Sequence, residues 1–159
     1  MIRLIDSALL DAVVASARTA PRGRKNFNFH PRDDYPGHRM LNAIEPGSYI
    51  APHRHLDPAK DETMLVLRGA LGLVIFDDAG QVTLTKKVGA GGTASDAIGI
   101  DVPHATWHTV FALEPGTVFF ESKSGPYLAL SADERASWAP AENAPDAPDY
   151  LAGLRRLFP

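Results

Sequence analysis

Residues 47–69, GSYIAPHRHLDPAKDETMLVLRG, are the stretch from which the rest of the chain can be read. His53 and His55 stand two apart, and in an extended chain side chains two apart point to the same face. Glu62 opens a hydrophobic run, ETMLVLR, which ends at Gly69 and reads as a strand. The intervening LDPAKD carries a proline and charges, a loop able to return Glu62 to the rim that holds the two imidazoles. Two ring nitrogens and a carboxylate brought to one rim predict a metal site. Asp57 and Asp61 are alternative carboxylates from the same loop; Glu62 is preferred because it alone begins the strand.

Around this stretch the chain breaks into short apolar runs separated by turn residues. Strands are expected at 26–29, 38–44, 48–52, 62–68, 71–76, 81–87, 97–102, 107–113 and 117–122. EPG, RGA, DDAG, GAGG and a second EPG punctuate them, and FDDAGQV predicts a hairpin with Gly80 at the left-handed position. So many short strands at regular spacing argue for an all-β sandwich or barrel rather than alternating strands and helices. Three parts are expected: an N-terminal helix and linker over 1–25, a β-barrel over 26–130, and a short helical appendage over 131–159. Leu9, Leu10, Val13, Val14 and Ala17 recur at helical spacing, with Asp6 or Ser7 placed to cap the start.

Composition narrows the function. The chain has 159 residues, 45% hydrophobic and 22% charged, enough apolar content for one core but not for two domains. With no cysteine, disulfides and thiolate metal sites are excluded, so a metal must be held by nitrogen and oxygen. A net charge of −3, with basic clusters as short as RGRK (22–25) and Arg155-Arg156, argues against nucleic acid. No run approaches the roughly 20 apolar residues of a membrane span. Asp6 and Asp11 interrupt the one stretch resembling an export signal, so a cytoplasmic protein is expected.

A fourth ligand candidate lies in IDVPHATWHTVF (100–111), where Pro103 ends one strand and His108 lies near the start of the next, able to face inward with Val110 and Ala112. The other face of that strand carries Trp107, Thr109, Phe111 and Leu113 and must also be covered. The N-terminal helix is expected to cover part and a second subunit the remainder, which predicts a homodimer.

Gly47-x5-His53-x-His55-x6-Glu62-x6-Gly69, followed by Pro103-x4-His108, resembles the two cupin motifs, with a longer spacing before the glutamate than is usual there. RKNFNFH (24–30), SYIAPHRH (48–55), FDDAG (76–80), WHTV (107–110) and FFESKSGPY (119–127) extend the likeness to the WbuC-type cupin-fold metalloproteins. The resemblance implies a double-stranded β-helix, a jelly-roll barrel. It also implies one divalent metal ion (Zn, Fe, Ni or Mn) on His53, His55, Glu62 and His108, and a link to surface-polysaccharide metabolism.

Glu121 is the candidate catalytic group, since a carboxylate in a strand as apolar as TVFFES requires a partner or a task. Its structural alternative is an ion pair with Arg24, Lys25 or Arg39. Arg24, Asn28 and His30 alternate in RGRKNFNFH and are expected to present polar groups to the substrate, with Arg24 gripping an anion; Tyr127 is expected at the mouth. The expected ligand is a small polar molecule, anionic or sugar-like. The expected activity is that of an isomerase, an epimerase or an oxygenase, with a non-catalytic sugar-binding module as the alternative.

Overall fold

In the computed structural model, which describes residues 2–91 and 97–158, Asp6 caps the first helix by accepting a hydrogen bond from the Leu9 amide at 2.9 Å. That helix, α1 (Ser7–Thr19), is amphipathic and buries Val13, Val14 and Ala17. Among the described residues eight antiparallel strands follow: β1 (Arg24–Asn28), β2 (Gly37–Ile44), β3 (Glu62–Arg68), β4 (Ala70–Phe76), β5 (Val82–Gly89), β6 (Gly99–Val102), β7 (Trp107–Ala112) and β8 (Thr117–Ser124). They form one sheet in the order β1-β2-β8-β3-β6 and a second in the order β5-β4-β7. A short 3-10 turn (Ala132–Glu134) and helix α2 (Ala147–Arg155) complete the chain.

The core lies between the two sheets. Strand alternation places Met64 and Val66 of β3, Phe119 of β8 and Ile44 of β2 against Leu71, Leu73, Val110 and Ala112 of the second sheet. Outside, α1 lays Val13, Val14 and Ala17 on Leu41, Ala43 and Val118 of the first sheet. The hairpin between β4 and β5 is as expected: Asp77 accepts from the amides of Ala79 and Gln81, and Gly80 takes a φ of +81°. A side chain at Gly80 would also collide with Trp138, its Cβ lying 2.5 Å from Cδ2.

Two expectations are corrected. Residues 48–52 form no strand: Pro52 offers no amide, and pairing shrinks to isolated bridges at His53, which exchanges backbone hydrogen bonds of 3.0 and 2.9 Å with His108 and also bridges Arg135. The outer face of β7, expected to be covered by the N-terminal helix and a second subunit, is covered by the chain's own C-terminal segment. Trp107 and Phe111 pack with Val74 and Phe76 against Ala147, Leu151 and Leu154 of α2, with Trp138 and Phe158 joining them. The expected turn at 89–92 falls partly outside the described residues. Among those described, no helix is long and apolar enough to cross a membrane.

Candidate metal centre

The geometry that gathers the site is set by three backbone constraints. The bridge between His53 and His108 fixes two imidazoles side by side, with ring centroids 4.6 Å apart. Ala105, held in the left-handed region at φ +61°, donates its amide to His55 O at 2.6 Å and ties the β6–β7 loop to the second histidine. Glu62, the first residue of β3, is 2% exposed and projects into the barrel with Met64 and Val66.

One donor atom from each of His53, His55 and Glu62 lies within 4.8 Å of the others. His108 joins them through Nε2, 3.0 Å from Glu62 Oε2. Tautomers follow from what surrounds the rings. His53 Nδ1 lies 3.1 Å from Ala51 O and His108 Nδ1 lies 2.9 Å from Thr106 O. A carbonyl only accepts, so each Nδ1 carries the hydrogen and each Nε2 keeps its lone pair. His108 Nε2 and Glu62 Oε2 are then two acceptors face to face, an arrangement that requires a proton or a cation between them. His55 Nε2 lies 3.1 Å from Glu62 Oε1 but off the hydrogen-bond direction, and this buried nitrogen has no hydrogen-bond partner. Orphaned and opposed lone pairs on nitrogen and carboxylate oxygen suit a divalent ion, and the backbone carbonyls on Nδ1 are the supports that metal-ligating histidines use. These residues therefore fit a metal.

The electrostatics agree. Burial pushes His53 down to about 3, with His108 adding to the effect, so His53 stays neutral and able to coordinate. Burial alone would raise the Glu62 carboxyl; the adjoining His108 and His55 rings and the charge of Lys123 outweigh it and hold Glu62 well below the usual carboxylate range.

Lys123 is the residue that the motif reading missed. Its Nζ lies 2.6 Å from Glu62 Oε1 and 2.8 Å from Glu121 Oε1, joining both carboxylates. Burial would lower this ammonium, but Glu121 and Glu62 overcome that and raise it. The signal was present, because Lys123 stands two residues beyond Glu121 on one strand and so shares its face. Glu121, 8% exposed, also accepts from Asn42 Nδ2 at 2.7 Å. Its partners are thus Lys123 and Asn42, not the expected Arg24, Lys25 or Arg39.

A cavity of about 290 Å³ opens onto this cluster, with Glu62, Glu121, Lys123 and Asn42 on its polar side and Val110 and Phe119 on its apolar side. The other expected ligand-binding residues scatter. Arg24 lines the same cavity, but its guanidinium is engaged by Glu142 at 2.6 Å, Tyr49 O at 2.9 Å and Ser48 Oγ at 3.2 Å. Asn28 is exposed and accepts from Asn26 Nδ2. His30 is buried away from the site, its ring stacked on His38 at 4.1 Å. The alternation that was to align Arg24 with Asn28 and His30 stops when β1 ends at Asn28. Tyr127 stands outside this cavity, on the rim of another. Of the alternative carboxylates, Asp61 pairs with His104 at 2.9 Å and Asp57 accepts from the Ala59 amide.

Two antiparallel sheets closed around an inward histidine–glutamate cluster define a cupin-fold protein with a candidate metal site. The chain belongs to the family described as a domain of unknown function (DUF6016), whose model matches residues 5–88. Comparison with curated proteins gave no match. Among solved structures the chain is similar to KdgF from Halomonas sp., with 19% identity, a TM-score of 0.50, and 67% of this chain and 82% of that one covered. It is similar also to the conserved protein SPY1581 of unknown function from Streptococcus pyogenes, at 13% identity and a TM-score of 0.52 over 80% and 91% of the two chains. Protein SO0799 from Shewanella oneidensis aligns at 13% identity and a TM-score of 0.54, over 75% and 78%. At these identities the likeness is one of fold.

Proposed function

We infer that this chain binds one divalent metal ion on His53, His55, Glu62 and His108 and acts on a small polar, anionic or sugar-like molecule by proton transfer, in the manner of an isomerase or epimerase. The observation that carries the reading is the set of histidine Nε2 atoms gathered at the Glu62 carboxylate beside a second buried carboxylate, Glu121. A bound divalent ion supplies Lewis acidity that polarises a ligand oxygen. The remaining work belongs to the protein. Glu121, fixed by Asn42 and Lys123, takes a proton from the carbon next to the polarised oxygen and returns it to the neighbouring position. Lys123 stabilises the Glu121 carboxylate that is left when the proton has been given back. Val110 and Phe119 keep bulk water from the exchange, and a cavity of about 290 Å³ admits only a small molecule. The likeness to WbuC-type proteins supports a substrate drawn from surface-polysaccharide sugars.

A specific observation favours a second reading, a binding module without turnover: Glu121 is already satisfied by Lys123 and Asn42. One set of variants separates the two. Elemental analysis of untagged protein is expected to show one metal per chain, lost in the His53→Ala/His55→Ala double variant while the fold is retained. Stoichiometric metal in that variant overturns the site. Glu121→Gln is expected to keep the metal and the ligand and to lose turnover; a parent that binds sugars but turns none over favours the binding module.

A further inference from the structure

Behind the same histidines lies a second cavity, of about 190 Å³, which shares His53 and Lys123 with the first as a common wall. The two differ in charge. The first contains Glu62 and Glu121; among the described residues lining the second there is no carboxylate, and it is faced by Lys60, Lys123, His38 and His55. The ammonium of Lys123 is engaged by Glu62 and Glu121, but that of Lys60 is engaged by no acid among the described residues. Lys60 is 7% exposed, and its Nζ donates to Pro126 O at 2.7 Å, with no carboxylate ion-paired to it among the described residues. One carbonyl satisfies one of its three N–H groups. A buried ammonium without a counter-charge is costly, and the open side of this one is the cavity. At the rim stand Tyr127 and Leu128, 63% and 64% exposed, a flat apolar ledge beside a positive well.

The geometry points to the Lys60 cavity as an anion subsite, which receives a carboxylate or phosphate group of the ligand with Lys60 as its counter-charge and Tyr127 as its ledge. It assigns the anionic end of the ligand of the metal cluster and in that respect rests on the function inferred above. It also moves that end from Arg24, whose guanidinium is held by Glu142, to the opposite flank of the histidines.

The test uses metal-free protein, so that anion binding is read apart from metal binding. Inorganic phosphate and malonate are each titrated at constant ionic strength while amide chemical shifts are followed by nuclear magnetic resonance. Saturable shifts are expected at Lys60, Ser124 and Tyr127; the tighter of the two probes identifies phosphate or carboxylate as the group received. Lys60→Met is expected to weaken binding about tenfold or more, the loss of a charge-assisted hydrogen bond, and Lys60→Arg to retain it. Tyr127→Ala, at an exposed position, tests the ledge without threatening the fold and is expected to weaken binding by a smaller factor. Parent-like affinity in Lys60→Met, saturable shifts confined to the Glu121 cavity, or no saturable shift with either anion each overturn the subsite. Metal content is measured on the same preparations before chelation. Anion binding at Lys60 in a protein that takes up no metal sinks the metal reading alone, and normal metal uptake with Lys60-independent anion binding sinks the subsite alone.

Discussion

The ammonium of Lys123 rests 2.6 Å from Glu62 Oε1, the same oxygen that lies 3.1 Å from His55 Nε2. Lysine and the proposed metal would therefore address one carboxylate, and in the metal-free protein Lys123 is the cation that makes burial of Glu62 and Glu121 tolerable. Lys123→Met leaves both carboxylates buried without a counter-charge and is expected to destabilise the metal-free protein by about 3–5 kcal/mol. A bound divalent cation restores part of this, so the rise in Tm on adding zinc should be larger in the variant than in the parent. Melts with chelator and with zinc check it, and equal rises in both proteins would falsify the shared-carboxylate account.

Arg24 clamps the chain around Ser48 and Tyr49 to Glu142, with side chains 16% and 31% exposed for the arginine and the glutamate. Arg24→Ala is expected to cost roughly 1–2 kcal/mol in urea denaturation, a partly exposed ion pair together with hydrogen bonds to the backbone and a hydroxyl. Phosphate affinity should stay within about twofold of the parent, since the clamp leaves no free fork for an anion. A large loss of anion binding with unchanged stability would return Arg24 to the ligand.

Acid stability should carry the signature of Glu134. Its carboxylate accepts from the backbone amides of Leu56 and Ser131 and from the Ser131 hydroxyl, and these bonds hold it at about 2, against an ordinary 4.5. A carboxyl depressed in the folded state stabilises fully above its unfolded pKa. That contribution is lost as pH falls from about 4.5 towards about 2, where the unfolded chain binds the proton first. After allowance for solvent screening it amounts to roughly 1–2 kcal/mol. Denaturation of the parent and of Glu134→Gln at pH 7 and pH 3 should show the gap closing at the lower pH; a constant gap would remove Glu134 from the account.

Helix α2 is part of the fold's core. Leu154, 6% exposed, packs in the cluster that covers Phe111 and Val74 of the second sheet. Leu154→Ala is expected to cost about 2–4 kcal/mol through lost burial and the cavity left behind. Near-neutral behaviour in chemical denaturation would show that α2 merely rests on the sheet.

Much of the fold was legible because its signals are local. The 62–68 strand was read to the residue, since ETMLVLR alternates between Glu62, Met64 and Val66 facing inward and Thr63, Leu65 and Leu67 facing outward. The hairpin at Gly80 was equally plain and the helix cap was narrowed to Asp6 or Ser7, because each depends on residues within four positions of one another. The strand expected at 48–52 was lost to one local fact, the missing amide of Pro52.

The sequence by itself determined which side chains share a face: the two-residue spacing of His53 and His55, the inward sense of Glu62, and the inward run of His108 with Val110 and Ala112. Alternation is a property of the extended backbone and needs no partner strand. Only the tertiary structure decided what those faces meet. That Lys123 answers Glu62 follows from the pairing of β3 with β8, some sixty residues apart, one step beyond the Thr63–Ser122 pair. That Glu142 occupies Arg24, and that α2 covers Phe111, depends on where the last segment of the chain folds back. Such pairings are selected by burial and charge summed over the whole molecule, and no spacing within a single strand records them.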